Sequence, residues 1–303
     1  MSAMSELRRI SIVTPSFNQG QFLEETIDSI LSQGYPELEY IIIDGGSTDN
    51  SVEIIRKYAK HLAWWVSEKD RGQSHAINKG LARCTGEIFN WINSDDLLCP
   101  GALHAVAEAW RRTPGRIIAG NVEQFDGRGV RAIVRAGGQT LRNFVRFWEA
   151  EGFGWNQQGT FAPTAALKAI GGVREDLRYC MDYHMMVRLL QEGVKVCYVE
   201  RTLGRYRFHS ASKTVAETSK FRLERVTMLR GVADLGVTVW PWEWEAEQAR
   251  RLLDVGKGMM RSGDLLGGIR HVFKAMQTSP RGAVEEIARR AMAKALRWTG
   301  CNG

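Results

Sequence analysis

Cysteine is scarce in this 303-residue sequence, and what there is does not pair. Cys84, Cys99, Cys180, Cys197 and Cys301 are odd in number and scattered, with no Cys-x-x-Cys. That excludes a disulfide scaffold and a cysteine-built zinc site, and it fits a reducing compartment. Proline is rarer than glycine, 7 against 31, and glycine follows no three-residue period, which excludes collagen-like and proline-rich chains. Long apolar runs are missing: Ile41–Ile43 is typical, far short of the roughly 20 residues that a membrane-spanning helix needs. Met1–Arg9 is polar and lacks the apolar stretch of a secretory signal. With 44% hydrophobic and 25% charged residues, the expectation is a globular cytoplasmic protein of one large or two ordinary domains.

Acidic charge is also in deficit. Lys and Arg number 41 against 34 Asp and Glu, a formal charge of +7. From Glu245 to Gly303 there are eleven Lys/Arg and six Asp/Glu, so most of the excess lies in the tail. Anionic neighbours such as acidic headgroups, phosphorylated substrates or nucleic acid would suit it, and so would an ordinary solvated helical face.

The first hundred residues alternate short β-branched runs with amphipathic stretches. Strands are expected at Ile10–Thr14, Glu39–Asp44, Ala63–Ser67 and Glu87–Ile92. Helices are expected at Gln21–Gln33, after Thr48-Asp49 as caps, at Ser74–Arg83, and at Pro100–Arg112 with Pro100 at its start. This order predicts an α/β fold, a mainly parallel sheet flanked by helices. Strands around a turn at Asp126-Gly127, a helix over Asp182–Glu192 and a strand over Val194–Val199 follow. From Glu217 the chain reads as helical, with Ser262-Gly263-Asp264 and Pro280 separating helices like one tetratricopeptide-like hairpin. The expected division is 1–216 as catalytic domain, split into halves 1–112 and 113–216, and 217–303 as a helical extension.

In parallel sheets ligands bind beyond the carboxyl ends of the strands. Those ends carry Thr14-Pro15-Ser16, Asp44-Gly45-Gly46, Asp70-Arg71-Gly72 and Asn93-Ser94-Asp95-Asp96. Any one acid there could be a cap or turn residue, as Asp49 is expected to be; four polar ends in succession point to a site. Neither GxxxxGK[ST] nor GxGxxG occurs, so a glycine loop does not cradle the phosphates. A divalent cation held by Asp95-Asp96 could neutralise a diphosphate instead, one acid on metal and the other near a ribose.

Four segments, ISIVTPSFNQGQFLEETIDSILSQ, YIIIDGGSTDNSVEII, SEKDRGQSHAINKGL and GEIFNWINSDDLL, resemble the inverting family 2 glycosyltransferases of the GT-A fold, in order and spacing. A fifth, Gly171 through Met181-Asp182-Tyr183 to Leu189, resembles the family's acceptor-side region. The resemblance implies Thr14, Pro15 and Ser16 against base and ribose, Asp44 reading the base (uracil favoured), Asp70 and Gly72 in a loop over the nucleoside, and Asp95 near the ribose or the metal. It implies Asp96 and His209 as ligands of Mn²⁺ or Mg²⁺, and Asp182 as general base. Asn93 stands where many relatives have an acid. The QxxRW signature of processive synthases is absent, which implies single-sugar addition.

The expectation is therefore a metal-dependent inverting transferase, of hexosyl or N-acetylhexosaminyl type, that moves one sugar from a nucleotide-sugar donor to a glycan or lipid-linked saccharide, as in polysaccharide biosynthesis. Rival readings are a non-catalytic interaction module and a nucleotidyltransferase; nucleic acid is not expected as a partner. Gly152–Gly159 could be an acceptor loop with Trp155 stacked on a sugar, or Trp155 could be a core residue. Trp240, Trp242 and Trp244 lie at period two around Pro241, to dock the extension or to form a belt at an anionic membrane face.

Overall fold

The computed structural model describes residues 7–145, 152–209, 212, 224, 228 and 241–299. The chain forms two compact units, Met1–Val215 and Ala216–Gly303.

In the first unit, β1 (Ile10–Ser16), β2 (Leu38–Asp44), β3 (Trp64–Ser67) and β4 (Ile88–Trp91) lie parallel in the order β3-β2-β1-β4. Helices α1 (Gly20–Leu31), α2 (Ser51–Tyr58) and α3 (Gln73–Arg83) make the crossovers. The strand residues Ile10, Ile12, Ile42 and Ile88 are fully buried, as are Leu23, Ile27 and Ile30 on one face of α1 and Ile55 of α2. Continuous apolar strands packed on single helical faces are what a parallel sheet covered on both sides requires.

Beyond β4 the sheet turns mixed. After β5 (Leu97–Leu98) and α4 (Ala102–Arg112) come β6 (Ile117–Asp126) and β7 (Gly129–Val134), a hairpin. Then follow α5 (Leu141–Val145), β8 (Thr160–Pro163), α6 (Thr164–Ala169), α7 (Met181–Gln191) and β9 (Val196–Arg207). β8 sits antiparallel between β4 and β6, β9 runs parallel to β6, and β5 closes the order antiparallel on β9. β9 runs to Arg207, well past the expected Val199, because its ladder on β6 continues through two register shifts. α4 starts at Ala102 and not at Pro100, since Gly101 takes a left-handed φ of 73° before it. Asp49 caps two helices: Oδ1 accepts from Ser51 N at 3.0 Å and Oδ2 from Gly20 N at 2.9 Å, joining the starts of α2 and α1.

The second unit contains α8 (Pro241–Arg261), α9 (Leu265–Thr278) and α10 (Pro280–Thr299). Asp264 caps α9 through Gly267 N at 2.8 Å. Ala249, Leu253, Ala275 and Ala283 form its small core, with Val272 and Met276 against it. Arg290 joins Asp254 at 2.6 Å and Glu286 at 2.7 Å. Trp240 lies outside the described residues, as do the side chains of Trp242 and Trp244.

Candidate functional site

The parallel register sets Ser16 beside Asp44 and Asp44 beside Ser67, so three strands end level. Asp44 is fully buried. Its Oδ2 accepts from Gly46 N at 3.1 Å, Ser47 N at 2.9 Å and Ser67 Oγ at 2.7 Å, and Ser47 Oγ donates to Oδ1. Three donors on one oxygen leave the remaining capacity of the carboxylate on Oδ1. Thr14 Oγ1 lies 3.0 Å from Tyr40 Oη, both buried. Pro15 is buried beside it, and Ser16 Oγ is buried with no hydrogen-bond partner among the described residues. A buried hydroxyl left unpaired is costly and marks a place for a ligand or water.

Asp70 lies over the end of β2. A Cβ on Gly45 would come within 2.8 Å of Asp70 Oδ2, so a side chain there would push the carboxylate aside. Asp70 Oδ1 accepts from Gly72 N at 2.7 Å, and Gly72, at φ 116°, turns the chain into α3. Asp70 and Gly72 thus belong to one tight loop beside Asp44.

The end of β4 is next to β1, with Ile92 N donating to Val13 O at 2.9 Å. There the two acids divide. Asp96 is fully buried and accepts from Asn93 Nδ2 at 2.9 Å, Gln158 Nε2 at 2.7 Å and Arg207 N at 3.0 Å. Burial, then the charge of Asp95, pushes its carboxyl up to about 8. Asp95 is only partly buried, and its Oδ2 lies 2.9 Å from His209 Nε2. His209 therefore sits with Asp95, where sequence reasoning placed it with Asp96. Phe22 packs on the imidazole at 4.8 Å between ring centroids.

Arg207 pins this corner. Its Nε donates to Asp95 O at 2.8 Å, its Nη2 pairs with Glu25, and its guanidinium lies 4.8 Å from the Phe22 ring centroid and 4.6 Å from that of Phe125. Gln73 Nε2 donates to Asn93 Oδ1 at 2.6 Å. Asn93 thus links α3 to Asp96.

Asp182 lies in the first turn of α7, partly buried, where its Oδ1 accepts from Tyr183 N at 2.8 Å. A chain of contacts runs from it to the acids. The Tyr183 ring meets Trp155 edge-on at 4.7 Å, and both meet Phe144. Three residues beyond Trp155, Gln158 holds Asp96, while Gln157 Nε2 donates to Asn90 Oδ1 and Trp91 O, each at 2.7 Å. Trp155 is 9% exposed, which makes it a wall of this box, yet its Nε1 has no hydrogen-bond partner among the described residues.

Gln73, Gln158 and Arg207 were missed as site residues by sequence reasoning. Gln158 lay inside the segment read as an acceptor loop, and Arg207 inside the segment around His209. Only the antiparallel insertion of β8 between β4 and β6 brings Gln158 to Asp96. No group of three or more His, Cys, Asp or Glu side chains forms a ready metal cage among the described residues.

The sequence model described as Glycosyl transferase family 2 matches residues 11–161. The glycosyltransferase GlyG of Streptococcus pneumoniae is 32% identical over 126 residues, covering 41% of this chain and 41% of GlyG. The chain spans about two fifths of the curated relatives that it matches first. Among solved structures, S. aureus TarS 1-349 in complex with UDP-GlcNAc superposes with a TM-score of 0.59 at 15% identity, over 89% of this chain and 92% of that one. The mannosyltransferase PcManGT from Pyrobaculum calidifontis, in complex with GDP-Man and Mn²⁺, gives a TM-score of 0.52 at 20% identity, over 98% and 80%. The four ordered strand-end motifs, the mixed sheet that carries them and the match over residues 11–161 agree, and the chain belongs to glycosyl transferase family 2, with the GT-A fold.

Proposed function

We propose that the protein transfers one sugar from a nucleoside-diphosphate sugar to a hydroxyl of a glycan or lipid-linked saccharide, with inversion. The observation that carries this reading is the level end of β1, β2 and β3, where Ser16, Asp44 and Asp70 converge next to the Asp95–His209 pair. Asp44 and the unpaired Ser16 hydroxyl suit a polar base and ribose. TarS with UDP-GlcNAc supports a uridine diphosphate donor, and PcManGT shows that a related fold takes a guanosine one.

The residues present suit a divalent cation. Mg²⁺ and Mn²⁺ take one or two carboxylates and complete their shell with substrate phosphates and water. Asp95 with His209 would hold it, in place of Asp96 with His209, because Asp96 is fully buried and held by three N–H donors, whereas Asp95 is only partly buried beside the imidazole. Bound there, it would offset charge developing on the departing diphosphate. Asp96 lies buried behind Asp95, and Arg207 and Gln158 fix the two acids in place.

Asp182 is assigned as the general base. Its carboxylate takes the proton of the acceptor hydroxyl as that oxygen bonds to the anomeric carbon, while the bond from the anomeric carbon to the diphosphate oxygen breaks on the opposite face. Asp182→Asn is expected to leave donor binding nearly intact and to lower kcat by about two to four orders of magnitude. Near-normal turnover would remove it from this role. Thermal-shift titration with nucleotide sugars, with and without Mn²⁺, tests donor and cation together, since a ligand that prefers the native state raises the unfolding temperature. No stabilisation by any of them would refute the reading.

A further inference from the structure

The helix α9 is built inside out. Its inward residues are small or medium: Gly268 and Ala275 are buried, with Val272 and Met276 against the core. Its outward residues are the large ones. Leu265, Leu266, Ile269 and Phe273 are 62%, 74%, 58% and 66% exposed. At 100° per residue these four fall within an arc of about 100°. Scattered surface apolar residues need no explanation, but a continuous outward stripe marks an interaction surface.

The charge on the helix that carries the stripe is positive. Arg270 and Lys274 are exposed on the same helix and take part in no salt bridge among the described residues. They stand four apart, a like-charge spacing that weakens an isolated helix unless an anion relieves it. Lys257 and Arg261 are exposed on the preceding helix. α9 itself has no Asp or Glu; Asp264, just before it, is exposed and caps it through Gly267 N, and the four cations outnumber it. No described helix is long and apolar enough to cross a membrane. An apolar stripe flanked by cations, on a helix too polar to span, is the composition of a helix that lies in the plane of a bilayer interface.

We propose that the outward face of α9 docks on an anionic lipid surface, with Leu265, Leu266, Ile269 and Phe273 entering the headgroup boundary and Arg270 and Lys274 meeting the phosphates. This surface belongs to the C-terminal unit and is independent of the transfer chemistry. The test is flotation of the full chain with phosphatidylcholine vesicles, with and without phosphatidylglycerol. Binding is expected only with phosphatidylglycerol, and high salt should release it. Leu266→Ser/Phe273→Ser should weaken binding at least about tenfold with an unchanged melting temperature. Arg270→Glu/Lys274→Glu should do the same while keeping the apolar stripe, and it decides the matter if the first variant does not fold. A wild-type chain that stays in the soluble fraction with both vesicles overturns the proposal, as do folded variants that float like wild type. So does a dimer, seen by light scattering, that Leu266→Ser/Phe273→Ser converts to monomer, because a second copy would then own the face.

Discussion

Two buried groups give the metal-free protein a stability profile that can be worked out in advance. Burial and the neighbouring Asp95 charge raise the Asp96 carboxyl from 3.8 to about 8. Between those values the folded state holds a proton that the unfolded chain has lost, so stability falls as pH rises. His184, on α7, is depressed from 6.5 to about 4 by burial and then by Arg174 and Arg188. Between these values the unfolded chain holds the extra proton, so stability rises with pH. From pH about 4 to 6.5 the two groups pull in opposite directions and largely offset each other. From 6.5 to 8 Asp96 acts alone, at about 1.4 kcal/mol per pH unit, a loss of about 2 kcal/mol. For a unit of this size that lowers Tm by roughly 4–8 °C. Asp96→Asn keeps the shape and removes the charge. Gln158 Oε1 is buried without a partner, so its amide can turn to accept from the new Nδ2, while Asn93 Nδ2 loses its acceptor and lowers the variant's stability evenly across the pH range. In EDTA the variant should be flat from 6.5 to 8 and should gain stability with pH below 6.5. Scanning calorimetry at half-unit steps reads both. Superimposable wild-type and variant profiles above pH 6.5 would refute the reasoning.

Other outcomes follow from the same corner. Asp95→Ala and His209→Ala should each raise the Mn²⁺ needed for half-maximal donor binding by at least about tenfold, measured by calorimetric titration, whereas an unchanged requirement would place the cation elsewhere. Gln158→Leu leaves Asp96 one donor short and should cost about 10–100-fold in metal-dependent donor affinity, the usual scale for a supporting partner. Trp155→Phe preserves the packing on Tyr183 and Phe144 but deletes an unpaired N–H. If that N–H meets the acceptor, KM for acceptor should rise with KM for donor fixed. Ile42→Ala, at a fully buried position of β2, should cost about 2–5 kcal/mol in urea unfolding.

The parallel half of the fold was legible because its strands and helices have separate periods and the strand ends carry the polar residues. Thr14–Ser16, Asp44, Asp70 and Asn93–Asp96 could be named from that pattern alone. The sorting of Asp95 from Asp96 could not, since adjacent side chains diverge and only tertiary packing decides which one is buried. Here β8 and β9 bring Gln158 and the Arg207 backbone to Asp96, and they leave Asp95 to His209. The long β9 was underestimated for a related reason: residues 200–207 include Glu200, Arg201, Arg205 and Arg207, which reads as a loop until a ladder on β6 holds it. The aromatic box of Phe144, Trp155 and Tyr183 is likewise assembled from three separated segments.

The contact between Asp95 and His209 joins positions 114 apart in sequence. Asp95 stands just before β5 and His209 just after β9, so the pairing of those two strands brings them together. An early folding intermediate holding β1 to β4 would own the nucleoside end and yet grip no cation. Manganese affinity, followed during refolding, would therefore time the pairing of β5 with β9.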